Sequence, residues 1–305
     1  MIAKTYYVEN PARLSSRLNQ MVVEFSGNEG EKQEHTRPLE DAGLLMLDHA
    51  QILLSVPLLR ACIQNKVCMV VCDDKHHPAG LMVPFEGNAL GGGRMRAQME
   101  AGKPLKKRLW QLTVAAKIRN QAFVLKKFRK PYKPLLEACG KVRSGDAGNL
   151  EARAAAYYWR KLFSEYPDFR RDRYGDRPNP ALNYCYAVLR AMVARALVGS
   201  GLFPFMGIHH KNQFNSFCLA DDVMEPFRPY ADDWVKEIGL RNPSEFQEDE
   251  LSRELRAECL TLLNRDVRLE GDRKPLQVAV HAVCAGLAKC FETGSASHLI
   301  FPEYE

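Results

Sequence analysis

The sequence predicts an α+β protein with a β-rich N-terminal domain followed by a larger all-α domain. Three observations predict it. At 305 residues the chain is long enough for two domains of ordinary size. Short apolar runs separated by turn residues fill the first 85 or so positions, while beyond Gly91-Gly92-Gly93 the apolar period lengthens from 2 to 3.6. The expected boundaries are residues 1–88 for the β-rich domain, 89–96 for a Gly-rich linker and 97–305 for the helical domain.

Taken in order, Tyr6 to Val8, Met21 to Phe25, Leu44 to Leu47, Val67 to Cys72 and Leu81 to Phe85 read as strands, punctuated by Asn10-Pro11, Gly27-Asn28, Asp73-Asp74 and Pro78. One helix interrupts them. Ser55 is a good N-cap, Pro57 suits the first turn, and Leu58, Leu59, Cys62 and Ile63 share a face. The triple glycine reads as a flexible hinge. In the second domain Leu182, Tyr186, Leu189, Val193 and Leu197 mark a core helix ended by Gly199 and Gly201, and Leu276, Val280, Val283, Leu287 and Phe291 mark another. Asn242 to Glu250 reads as a polar connecting loop.

With 46% hydrophobic and 26% charged residues the chain has a globular composition. Its net charge of +6 conceals a strong asymmetry. Between Arg94 and Arg177 there are 22 Lys/Arg against 8 Asp/Glu, so the rest of the chain is net acidic. A cationic band of this kind is a footprint for polyanions, nucleic acid first. Trp110, Phe123, Phe128 and Tyr132 are interleaved in it and are expected to be mostly core. The opening residues lack the pattern of a secretory signal, and charged residues interrupt every long apolar run, so neither export nor a membrane span is expected and the cytoplasm is the expected location. Nine irregularly spaced cysteines suit reduced thiols.

Nucleophile elbows, Walker loops and His-Glu-x-x-His are absent from the sequence. Cys68, Cys72, His76 and His77 resemble a zinc set, but two cysteines four apart on a strand are too far separated to share one ion. The segment that carries chemistry is Gly207-Ile208-His209-His210-Lys211-Asn212-Gln213 with Asp221-Asp222-Val223-Met224-Glu225 after it. Histidine approached by carboxylates, without thiolate, suits Mg²⁺ or Mn²⁺. The competing reading makes Asp222-x-x-Glu225 a helix capping box. Glu151, opening an alanine-rich helix after Gly145-Asp146-Ala147-Gly148, either complements the helix dipole or supplies a further ligand, an acid kept among phosphate-attracting bases. Lys211 and Arg228 flank these positions and suit either phosphate contact or intraprotein ion pairs.

Four blocks in order then show a resemblance: Asn149-Leu150-Glu151-Ala152 with Tyr157-Tyr158-Trp159; Leu182-Asn183-Tyr184-Cys185-Tyr186-Ala187; Gly207-Ile208-His209-His210-Lys211-Asn212; and Leu219-Ala220-Asp221-Asp222-Val223-Met224-Glu225-Pro226-Phe227-Arg228-Pro229. Together they resemble the CRISPR-associated spacer-acquisition integrase/endonuclease family, Cas1, in the form found in type II loci. Cys185 and Cys218 depart from the family pattern, where glycine and a polar residue are common. The resemblance implies a dimerising N-terminal domain, a homodimer bridged by the partner Cas2, the effector nuclease of type II loci as a further partner, and DNA as fragment and repeat array. It also implies catalytic metal ligands at Glu151, His210 and Glu225, with Asp222 a secondary candidate, His210 being preferred to His209 by the spacing Gly-x-x-His. The implied activity is metal-dependent strand transfer, in which a 3′-hydroxyl attacks a phosphodiester. A non-catalytic nucleic-acid scaffold with a vestigial site and a small-molecule phosphodiesterase are the competing functions.

Overall fold

A computed structural model describes residues 4–26, 32–85, 87–166, 168–243 and 251–304. The chain divides into two compact units, residues 1–88 and 89–305.

The first unit holds two four-stranded sheets. Strands β1 (Lys4–Val8), β5 (Ala42–Leu47), β7 (Cys68–Cys72) and β8 (Pro78–Met82) form one, in the order β1-β5-β7-β8, and only the last pair is antiparallel. Every residue of β5 is buried, which explains its unbroken apolar run: a strand flanked by parallel neighbours and covered on both faces has no polar side. Strands β2 (Ala12–Arg17), β3 (Gln20–Ser26), β4 (Lys32–Pro38) and β6 (Ile52–Leu54) form the other, in the order β4-β3-β2-β6. Helix α1 (Val56–Gln64) begins as the sequence indicates, with Leu58 N donating to Ser55 Oγ at 3.3 Å.

Three strands of this unit escaped the sequence reading. β2 and β4 are largely polar and β6 has only three residues, so neither alternation nor apolar runs announce them. The last strand expected, Leu81 to Phe85, lies three residues earlier, with Pro78 at its first position, where a missing N–H costs least. Cys68 is buried in β7, and His76 Nδ1 lies 2.8 Å from Asp48 Oδ1, so these residues belong to the sheet and its turn. The turn Gly27-Asn28 and most of the loop Asn242 to Glu250 lie outside the described residues.

The second unit is built around two long helices. Helix α3 (Lys103–Lys127) is buried on several sides between Leu109 and Leu125, and α4 (Lys133–Cys139), α5 (Leu150–Leu162) and α8 (Arg228–Arg241) pack on it. Helix α6 (Asn179–Gly199) packs on α7 (Cys218–Met224), α8, α9 (Arg253–Leu260) and α10 (Leu276–Thr293). α6 is the one described helix long and apolar enough to span a membrane by composition, but its apolar residues are buried against these neighbours. The expected apolar stripes of α6 and α10 are all core.

Two sequence expectations are corrected here. The linker proposed at 89–96 is helical from Gly91, within α2 (Gly91–Glu100). Glycine disfavours helix by about 1 kcal/mol per residue, so tertiary contacts must hold this one. Gln98 does so by donating from Nε2 to the carbonyls of Phe203 and Met206 and accepting from Phe203 N, and Arg94 pairs with Glu292 at 2.7 Å. Nor is the second unit all helical: β9 (Asp266–Leu269) and β10 (Asp272–Pro275) form a hairpin. Glu270 and Gly271 occupy its two-residue turn with positive φ, which local composition did not advertise.

Candidate active site

Glu151 owes its position to the turn before α5. Asn149 has φ 49°, Gly145 has φ 68°, and Asp146 accepts from the N–H groups of Leu150 and Glu151 at 2.9 and 3.0 Å. Asp146, not Glu151, therefore satisfies the exposed N–H groups of this helix start. The Glu151 side chain is left to turn towards α3, where its Oε1 accepts from the ammonium of Lys117.

Lys117 is buried, and its ammonium also lies 2.5 Å from Glu225 Oε2. Glu225 begins a short 3-10 turn, Glu225–Phe227, directly after α7. That turn is fixed by Asn120 of α3, which donates to the carbonyls of Pro226 and Pro302 at 2.8 and 3.1 Å. Arg228 Nε lies 3.1 Å from Glu225 Oε1, and its guanidinium covers the Tyr186 ring at 4.8 Å. Burial alone would push the Glu225 carboxyl up, but Arg228 and Lys117 outweigh it and hold the acid below the ordinary carboxylate range. Burial likewise pulls Lys117 down, and the two carboxylates more than reverse it. Behind Arg228, burial pushes Asp232 up to about 7, although it accepts from the hydroxyls of Tyr186 and Tyr158 at 2.5 and 3.0 Å.

The histidine loop is organised by Asp222. Its fully buried carboxylate accepts from Ile208 N at 2.7 Å, His209 N at 2.9 Å and His210 N at 3.3 Å, and faces His210 Nδ1 at 2.5 Å. Through these contacts Asp222 orients the loop. Asp222 lies inside α7, which also excludes the capping box. With Nδ1 turned to Asp222, His210 presents Nε2 as its remaining functional nitrogen, and the Asp222 contact keeps the imidazole more basic than usual. Gly207 explains the Gly-x-x-His spacing: a Cβ there would lie 2.3 Å from the His210 carbonyl and 2.8 Å from Asp222 Oδ2.

His209 is occupied elsewhere. Its ring stacks on Trp110 at 4.1 Å with an interplanar angle of 1°, and burial lowers its basicity. Trp110, expected as core, is thus also the floor under both histidines. The loop opens on a cleft of about 590 Å³ lined by Phe205, His210, Lys211, Asn212, Gln213 and Asn215. Lys211 is exposed and has no ion pair among the described residues. Arg228 pairs with Glu225 and covers Tyr186, the ion-pair alternative of the two that the sequence leaves open. Cys218, where the sequence departs from the family pattern, is buried and fixes the loop through the carbonyls of Asn212 and Asn215.

The donor chemistry fits Mg²⁺ or Mn²⁺. Two carboxylates and one imidazole are hard to borderline donors, and the buried Glu225 Oε2 already faces a cation. As they stand, no three His, Cys, Asp or Glu side chains among the described residues gather at ligating distance. The place between Glu151 and Glu225 holds the Lys117 ammonium. Sequence reasoning missed Lys117, whose one signal is a lone charge in the apolar run Val114-Ala115-Ala116-Lys117-Ile118.

The family model of CRISPR associated protein Cas1 matches residues 5–268. The CRISPR-associated endonuclease Cas1 of Neisseria meningitidis serogroup C (strain 8013) is 38% identical over 234 residues, covering 76% of this chain and 74% of that relative. CRISPR-associated endonuclease Cas1 2 of Pyrobaculum aerophilum is 27% identical over 295 residues, covering 92% and 97%. The fold is that of a casposase bound to integration product, with a TM-score of 0.81 at 21% identity over 99% of this chain and 94% of that one. It is also that of a CAS1 protein from Thermotoga maritima, with a TM-score of 0.76 at 19% identity over 99% and 100%. A chain of a Cas6-RT-Cas1--Cas2 complex matches with a TM-score of 0.78 at 18% identity, covering all of this chain and 36% of that one. A family match running through both units and across all four sequence blocks makes this chain a member of the Cas1 family.

Proposed function

We propose that this protein is a metal-dependent DNA endonuclease and strand transferase that inserts captured DNA fragments into a CRISPR repeat array. The observation that carries the reading is the convergence of Glu151 and Glu225 on one buried cation beside a histidine held in a single orientation by Asp222. Residues from α3, α5, the histidine loop and the turn after α7 meet there, in a chain of a family whose relatives are named endonucleases.

Glu151, His210 and Glu225 would hold Mg²⁺ or Mn²⁺, which when bound would polarise the phosphoryl oxygen and offset charge developing on it. The chain's own residues do the rest. Asp222 fixes the His210 ring through Nδ1, which leaves Nε2 as the nitrogen offered to the ion. Arg228 keeps Glu225 ionised. Lys211, exposed on the rim of the cleft, binds backbone phosphate. The nucleophile is the 3′-hydroxyl of the DNA fragment, which accounts for the absence of a serine or cysteine motif. We assign DNA fragment and repeat array as substrates, a second copy of this chain and Cas2 as partners, the type II effector nuclease as a further partner, and the cytoplasm as the place of action. Cas2 is supported by the likeness to a chain of a solved complex that contains it.

The scaffold reading keeps one observation in its favour, the Lys117 ammonium standing between the two carboxylates. A single assay separates the two. A 3′-hydroxyl duplex is incubated with supercoiled repeat DNA, Cas2 and Mg²⁺ or Mn²⁺. Joined products that disappear in Glu151→Ala, His210→Ala and Glu225→Ala support the integrase, and DNA binding without metal-dependent cutting or joining supports the scaffold.

A further inference from the structure

Burying an ammonium group is costly unless partners replace its water, so the position of Lys117 has to be explained by what it touches. Only 8% of its side chain is exposed. Its partners are carboxylates from two elements far apart in sequence, Glu151 at the start of α5 and Glu225 after α7. With Arg228 on the other oxygen of Glu225, two cations face two carboxylates. The charges of the centre are therefore balanced before any ion binds. An apolar side chain at 117 would leave the buried Glu225 and the partly exposed Glu151 carboxylates facing each other with no cation between them, and like charges so placed disfavour each other's ionisation.

We propose that Lys117 is the internal counter-cation of this site: it holds Glu151 and Glu225 together in the metal-free protein and competes with a divalent ion for the same two carboxylates. The inference rests on the reading of Glu151 and Glu225 as metal ligands. It adds that the ion enters by displacing the ammonium, so the site binds its metal more weakly than its ligands alone would allow. A lysine acting only as a structural brace predicts the opposite, because its loss would let the carboxylates separate and weaken metal binding.

The test is Mn²⁺ binding by titration calorimetry, without DNA, on the wild-type chain, Lys117→Gln and Lys117→Arg. Lys117→Gln is expected to bind Mn²⁺ at least about tenfold more tightly than wild type, since a unit positive charge leaves the immediate neighbourhood of the ion. It should melt lower than wild type without Mn²⁺ and recover when saturated. Lys117→Arg keeps the charge and should bind no more tightly than wild type. Equal or weaker binding by Lys117→Gln, with wild-type binding intact, overturns the counter-cation while leaving the metal reading standing. Failure of both wild type and Lys117→Gln to bind Mn²⁺ removes the metal reading and this inference with it. Should Lys117→Gln not fold, nuclear magnetic resonance of lysine side-chain amines in the wild-type chain decides. The Lys117 signal, identified by its absence in Lys117→Arg, must move on saturation with Mg²⁺, and a signal that stays in place overturns the proposal.

Discussion

Helix α3 places two lysines between pairs of acids, and the two clusters differ instructively. Lys117, 8% exposed, meets Glu151 and Glu225. Lys127, 37% exposed, meets Asp233 at 2.7 Å and Glu237 at 2.5 Å, and Arg265 joins the same acids, 2.7 Å from Glu237 Oε2 and 3.6 Å from Asp233 Oδ2. The outer cluster is reached by water and sits beside an ordinary support, the stack of Arg265 on Trp234. The inner cluster is enclosed and adjoins a histidine with a functional nitrogen left over. The same ion-pair chemistry thus braces the fold at the C-terminal end of the helix and, near its middle, balances the charges of the proposed reactive centre. Burial and the neighbouring imidazole make the difference.

The comparison is broken most severely at the inner cluster. Glu151→Gln, His210→Ala and Glu225→Gln should each reduce DNA joining by at least about 100-fold, the scale of losing one group that stabilises transition-state charge, while Asp233→Asn leaves joining intact. Joined product per unit time measures both. Next is Asp222→Asn, which removes the charged acceptor of the histidine loop. It should cost about 3 kcal/mol in denaturant unfolding and should also slow joining, because His210 loses its orientation.

Gly207→Ala follows. The added methyl must push the His210 carbonyl away, so a loss of about 1–3 kcal/mol is expected in thermal unfolding, together with slower joining. A substitution of similar size on the exposed part of the loop should do neither.

Away from both clusters, His281 of α10 gives a pH effect. Burial, with the positive charge of Arg195, lowers its pKa to about 4 from the ordinary 6.5 of histidine. Arg195 Nη1 lies 2.8 Å from His281 Nε2, which accepts as neutral imidazole. Between pH 4 and 6.5 the unfolded chain binds more protons than the folded one, so stability is full above 6.5 and is lost as pH falls towards 4. In His281→Gln the unfolding midpoint should vary less across that window. The smallest effect belongs to the outer cluster: Lys127→Met should cost about 1 kcal/mol or less in stability and change neither Mn²⁺ binding nor joining.

Much of the site could be read from residues close together in sequence. Gly207 to His210 and Asp222 to Glu225 stood out because their polar groups crowd into short segments, and Gly-x-x-His singled out the histidine that the loop geometry also favours. Arg228 was legible as a charge near the site but not in its direction, since only the packing of α8 against α6 turns it onto Glu225 and Tyr186. Asp222 was legible as an acid but not as the organiser of the histidine loop, because its four contacts there are brought to it by tertiary folding.

What the sequence determined by itself was the order of a β-rich and a helical region, the cap at Ser55, the buried stripes of α6 and α10 and the blocks that resemble the family. All of these depend on local periodicity or on residue identity. Tertiary structure alone decided that the triple glycine would be helical, that a hairpin would interrupt the helices, and that Arg94, Lys117, Arg119 and Lys127 of the cationic band would pair with acids within the chain. Helix propensity at three glycines is weak enough for packing to override, and an ion pair between Lys117 and residues 34 and 108 positions away leaves no local pattern. The acids that the band needed were present in the composition, but only the fold assigned Glu151 and Glu225 to the same lysine.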